Sequence, residues 1–192
     1  MRFRVALTAA AALAASTLAA CGSPDATATP PTTPPSTSAT RDTGELLAWV
    51  DKVCGVTVTS LAPMQQQPTL DQNNLPKVKT QFLDYLNTSS TALSKGVTDL
   101  AALKNGPSKD SERYVQAHTD TLTKMKDALD KAIKEVQDAN PKDGLNFGLA
   151  LQGVGNEIQL AALGTSSGIG ILVEKELADA EKQAPNCKKL QS

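Results

Sequence analysis

The sequence holds one imidazole and three thiols among its 192 residues. No Cys-x-x-Cys occurs and no second histidine stands at ligand spacing, which leaves no zinc pattern and no dithiol redox motif. The Gly-Lys-Ser/Thr ending that would place a lysine on phosphate is missing, and no strand precedes the glycine-rich stretch Gly164–Gly168, which excludes a phosphate loop. Nineteen Lys plus Arg stand against twenty Asp plus Glu, a formal net charge of −1. With no basic helix, finger or RNA-binding sheet motif, the chain shows no nucleic-acid partner, and no polybasic patch is present for anionic lipid. The only imidazole, His118, falls on the inward stripe of a predicted helix and reads as a core histidine rather than a base. No catalytic, cofactor-binding or metal-binding residue is therefore assigned, and the chain is not expected to be an enzyme.

What the chain does have begins at its N-terminus. Arg2 and Arg4 precede an apolar stretch, Val5 to Ala20, of sixteen residues, short of the ~20 that span a bilayer as a helix. It reads as a removable signal. The stretch closes on Leu18-Ala19-Ala20-Cys21-Gly22, which resembles the lipobox of bacterial lipoproteins. The resemblance implies cleavage before Cys21, a thioether-linked lipid on that thiol and an acylated, for example palmitoylated, amine. Residues 1–20 are then the signal peptide and Cys21 the point that ties the protein to the outer face of the cell membrane. Several acyl chains together hold a soluble domain on a bilayer where one chain is marginal.

From Ser23 to Thr40 the composition turns to Pro, Thr, Ser and Ala, with Asp25 the only charge. Pro30, Pro31, Pro34 and Pro35 break helix and sheet, and almost nothing here is apolar enough to bury. Residues 21–40 are expected to form a disordered tether, with a polyproline-type reach of at most ~55 Å. Residues 41–192 make one domain by length. Without Arg2 and Arg4, seventeen basic residues face twenty acidic ones, a balance of −3. If Cys21 carries lipid, Cys54 and Cys187 are the remaining pair, and outside the cytoplasm they are expected to form a disulfide. A loop of that length is worth about 5 kcal/mol in the chain-entropy view. Two free thiols or a metal pair is the competing reading.

The domain reads as helix throughout. A first helix starts at Asp42 or Thr43 and runs to about Leu61, stopped by Pro63, with Leu46, Trp49, Val50 and Val53 apolar and Cys54 on it. The β-branched run Val56–Thr59 weakens it locally. A second helix begins near Leu75-Pro76 and continues to about Lys104, and a third spans about Ser108 to Ala139. Steps of three and four through Tyr114, Val115, His118, Leu122, Met125, Leu129, Ile133 and Val136 give the third helix the clearest inward stripe. Asp127–Lys131, Asp130–Lys134 and Lys131–Glu135 pair by helical geometry on its wet side.

Between Gly144 and Val173 the one charged side chain is Glu157, and apolar residues spread around the whole circumference. A helix apolar on most sides is normally surrounded by others. This fourth helix is therefore expected at the bundle centre, continuing through Glu174 to about Lys182, with its glycines allowing close packing or a bend. A membrane hairpin built on the Gly164/Gly168 spacing is opposed by Asn146, Gln152, Asn156, Glu157 and Gln159, which are costly in lipid. Glu157 is expected on the helix's one wet face. If buried, it would need a donor such as Tyr85, Tyr114, His118 or a lysine tip.

As a whole the chain resembles the small helical lipoproteins and secreted proteins of high-GC Gram-positive bacteria. The lipobox at Cys21, the Pro/Thr tether, the Trp49–Cys54 segment and the C-terminal Cys187 carry the likeness, which implies location and scaffold rather than mechanism. The expectation is an all-α, up-and-down four-helix bundle with one disulfide. Its expected role is that of a non-enzymatic binding or interaction module of the cell envelope, meeting an envelope protein. The alternative is a carrier or sensor of a small apolar molecule, held in a cavity beside the fourth helix lined by Leu149, Val154, Glu157, Leu163 and Ile169.

Overall fold

A computed structural model describes residues 43–166 and 174–191, with backbone alone at 162–166. The expectations for the leader, Cys21 and the tether lie outside the described residues, as does Ile169. The described residues form six helices and no strand: α1 (Thr43–Gln65), α2 (Leu75–Ala101), α3 (Ser111–Asp138), α4 (Gly144–Ser166), α5 (Lys175–Gln183) and α6 (Pro185–Leu190). The chain folds as the all-α bundle its periodicity predicts.

Heptad steps build the centre. Leu86, Leu93 and Leu100 on α2 and Leu122, Leu129 and Val136 on α3 each recur every seven residues and are fully buried, so the two helices present continuous seams to each other. Each such leucine is worth roughly 1.5–3 kcal/mol relative to exposure. Val50, Val53 and Leu46 of α1 complete the core. The three long helices alternate in direction. The Trp49 indole N–H near the start of α1 donates to the Leu103 carbonyl just past the end of α2, at 3.1 Å. Likewise Lys79 near the start of α2 donates to the Gln137 and Ala139 carbonyls at the end of α3. Asn74 caps α2, its side chain accepting from the Lys77 N–H at 3.1 Å, with Pro76 in the first turn where no N–H is missed.

Two glycines set how closely these elements approach. A Cβ on Gly96 would overlap the Ser60 hydroxyl and come within 2.7 Å of Leu122, and one on Gly106 would overlap the Trp49 ring. Gly96 thus lets α1 and α2 cross closely, and Gly106 lets the α2–α3 loop fold under the indole. The β-branched stretch of α1 is helical all the same, with the Ser60 and Thr57 hydroxyls donating to carbonyls four residues back, at 2.8 and 3.3 Å. Pro63 does not stop α1. The helix continues to Gln65 with the ring in its last turn, where only one backbone bond is forfeited. By length and composition α1 is also the described helix apolar enough to cross a membrane, but its apolar side chains are spent on the core.

The fourth helix departs from expectation in two respects. It is not central: its main packing partner is α3, against which Phe147 and Val154 are buried, while the places beside α1 are filled by α5 and α6. Nor is it continuous to Lys182. It ends at Ser166, and Glu174 is an extended N-cap (φ −53°, ψ 144°) that starts α5 as a separate helix. Hydrophobic residues on all sides of a helix report how much could be buried, not how many neighbours arrive to bury it.

The C-terminal helices are fastened at both ends. The Glu174 N–H donates to Asp110 at 2.9 Å and Ser108 donates to the Glu174 carboxylate at 3.0 Å, tying α5 to the α2–α3 loop. Asn186 gives its backbone N–H to Asp51 Oδ1 at 2.7 Å and its amide to Asp51 Oδ2 at 2.9 Å, tying α6 to α1.

Candidate functional site

At the junction of α1, α3 and α6 a disulfide joins Cys54 to Cys187 with Cα atoms 5.0 Å apart. The Tyr114 hydroxyl lies 3.4 Å from Cys54 Sγ, and its ring packs at 5.8 Å from Trp49 and 4.8 Å from His118. Burial, and secondarily the charge of Glu181, pushes the Tyr114 hydroxyl well above the usual phenol range. His118 Nδ1 is 2.9 Å from the Thr57 hydroxyl, and Nε2 is buried without a partner. Whichever tautomer is present, one ring nitrogen stays bare, and burial lowers the imidazole to about 4. His118 is therefore a neutral core side chain, sealed from solvent, with no path for a substrate.

A second place is a groove of about 510 Å³ between α1, α2 and α6. Gly55, Thr59 and Gly96 line it, with Lys52, Lys95 and Lys189 at its rim. Lys95 is held by Asp99 on the next turn and Lys189 donates to Asn186. The groove is open, and the buried hydroxyl that lines it, Ser60, is already donated to the Val56 carbonyl of its own helix.

The third place is the outer side of α4. Leu145, Leu149 and Leu160 are 76, 57 and 67% exposed, and at 100° per residue they fall within one narrow arc. Gln152, Asn156 and Gln159 share that arc and are also exposed. The opposite side carries Phe147, Val154, Leu151 and Ile158 into the bundle. Glu157 sits between the two sides, half-buried, with Oε1 on the Lys131 ammonium of α3 and Oε2 buried without a partner. It is not on a freely wet face, and its donor is the lysine tip.

The residues proposed for an apolar cavity are not brought together. Leu149 faces solvent, Val154 faces the core, Glu157 is tied to Lys131, and the Leu163 side chain and Ile169 lie outside the described residues. Among the described residues α4 packs mainly on α3, which leaves Leu149 on its outer side. Of the helical pairs expected on α3, Lys131–Glu135 forms at 3.7 Å. Asp130 takes Lys126 and the Ser90 hydroxyl rather than Lys134, and the Lys126 hydrogen bond holds its carboxyl below the usual range. Gly148, Gly153 and Gly155 would meet nothing within 4 Å if given a Cβ. The expectation that the α4 glycines serve packing inside the bundle is not met at these three positions.

Sequence reasoning missed the Asp51–Asn186 lock and the Thr57–His118 pair. Their members stand 135 and 61 residues apart, and no local pattern links them. No family model, curated protein or solved structure matches the chain.

Proposed function

We propose that the chain is an extracytoplasmic lipoprotein, held on the cell membrane by lipid on Cys21, whose helical bundle serves as a non-enzymatic interaction module of the envelope. The outer face of α4 carries this reading: three exposed leucines in one arc, on a helix with a single charged side chain that is itself neutralised by Lys131. A soluble monomer has little reason to keep such a strip facing water, and strips of this kind mark contact with another macromolecule. The Leu18–Cys21 lipobox and the Pro/Thr-rich segment behind it supply the address and the reach. The disulfide agrees with an oxidising compartment.

The anchoring half is tested by replacing Cys21 with Ala and separating membrane from soluble material. The parent chain is expected in the membrane fraction, with an N-terminal peptide carrying acyl mass on Cys21. C21A is expected to leave that fraction. A parent chain that is soluble and unmodified at Cys21 overturns the reading.

A further inference from the structure

We propose that the outer face of α4 is where two copies of this chain meet, helix against helix around a two-fold axis. This rests on the reading that the face is an interaction surface and names its occupant.

The first argument is register. Leu145, Leu149, Gln152, Asn156 and Gln159 follow one another at steps of four, three, four and three. That is the a/d spacing of a helix that packs along another helix, with Asn and Gln amides inside the seam where a polar pair fixes register and number of strands. α2 and α3 use the same spacing toward each other, and on α4 the seam points outward with no described element over it.

The second argument is charge. A seam whose members are leucine, glutamine and asparagine meets a copy of itself across a two-fold axis without like-charge contact. The third is the exposed glycines. Gly148 and Gly155 border the seam on one flank and Gly153 on the other, each lowering helix propensity and none needed by packing among the described residues. A second helix lying close along the seam gives all three a role. A bilayer is the poorer occupant: Gln152, Asn156 and Gln159 would enter it, and no lysine-lined rim flanks the strip.

The contact is small. A helix of this length is ~35 Å long. With a strip ~10 Å wide the two copies bury on the order of 700 Å² in total, below the ~1,200 Å² of a stable interface. The dimer is accordingly weak and concentration-dependent, formed where copies are crowded together.

Cross-linking in the envelope of cells producing the full chain tests this. Asn156→Cys places a thiol in the seam and Lys124→Cys places one on an exposed turn of α3; the parent chain controls for Cys21. Under mild oxidation N156C is expected to give a disulfide-linked band at twice the chain mass, and K124C and the parent none. Adding L149K and L160K, both at exposed positions that leave the core intact, should reduce that band at least about tenfold, since two leucines account for more than a decade of affinity. A product of N156C with a different protein overturns self-association and leaves the interaction module standing. No product at all, with the thiol freely labelled by maleimide, overturns both.

Discussion

Acidification should loosen this bundle through one side chain, His118. In the folded protein burial holds its imidazole near 4, against ~6.5 in an unfolded chain. Because the folded value is the lower one, the unfolded chain binds the proton first. Between those two values stability therefore falls as pH falls. Integrating the two titrations from pH 7 to pH 4.5 gives a loss of about 2 kcal/mol, which for a domain of this size lowers Tm by roughly 5–10 °C. The groups around the ring have effects of their own, which a variant at position 118 leaves in place. Thr57 does not titrate, and Tyr114 is pushed further from ionisation. Glu181, raised by burial, contributes with the opposite sign, and Asp130, held low by Lys126, loses its contribution below the window. The variant to compare is His118→Phe, which keeps a ring against Tyr114 while the Thr57 hydroxyl retains the Val53 carbonyl. Urea unfolding of both proteins at pH 7 and 4.5 reads the difference. The parent should lose about 2 kcal/mol more than H118F over the interval. Equal losses would refute the assignment of His118 as the neutral buried base.

Other perturbations follow from the packing. Removing the disulfide with Cys54→Ala and Cys187→Ala together should cost about 2–5 kcal/mol, read as a Tm drop that reductant reproduces in the parent. Gly96→Leu should lower stability by about 1–3 kcal/mol, because the side chain must enter space held by Ser60 and Leu122. Gly153→Ala should raise the stability of dilute protein by up to about 1 kcal/mol, since a methyl there touches nothing among the described residues. An increase for G96L or a decrease for G153A would overturn the packing described for those helices. Asp51→Ala removes the two carboxylate acceptors of Asn186, leaving only the longer bond to the backbone carbonyl of residue 51, and should speed amide exchange in α6 ahead of the rest of the fold.

How much of this was legible in the sequence depends on the range of the signal. The stripes of α2 and α3 were read correctly because a helix that buries one face must repeat its leucines at three and four, whatever its partner. The Cys54–Cys187 pair followed from counting thiols. α4 was placed wrongly because its composition describes a capacity for burial, and α5 and α6 had already filled the room beside α1. Its glycines were expected to serve packing, yet the tight crossings belong to Gly96 and Gly106, which stand in a polar stretch of α2 and a loop where no pattern marks them. The outward 4-3 steps through Leu145, Leu149, Gln152 and Asn156 were present all along. Apolar residues on the other side of the same helix hid them.

The Cys54–Cys187 bond also governs how the protein answers force. Tension that enters α1 at Thr43 can unwind it only as far as Cys54 before passing into the covalent link. Between Thr43 and Gln191, stretching can release the eleven residues before Cys54 and the four after Cys187, on the order of 50 Å of chain at full extension. The other elements lie inside a closed loop that tension from either end bypasses. Under load the protein is a short spring in series with a rigid ring, and reduction of one bond would free the remaining length.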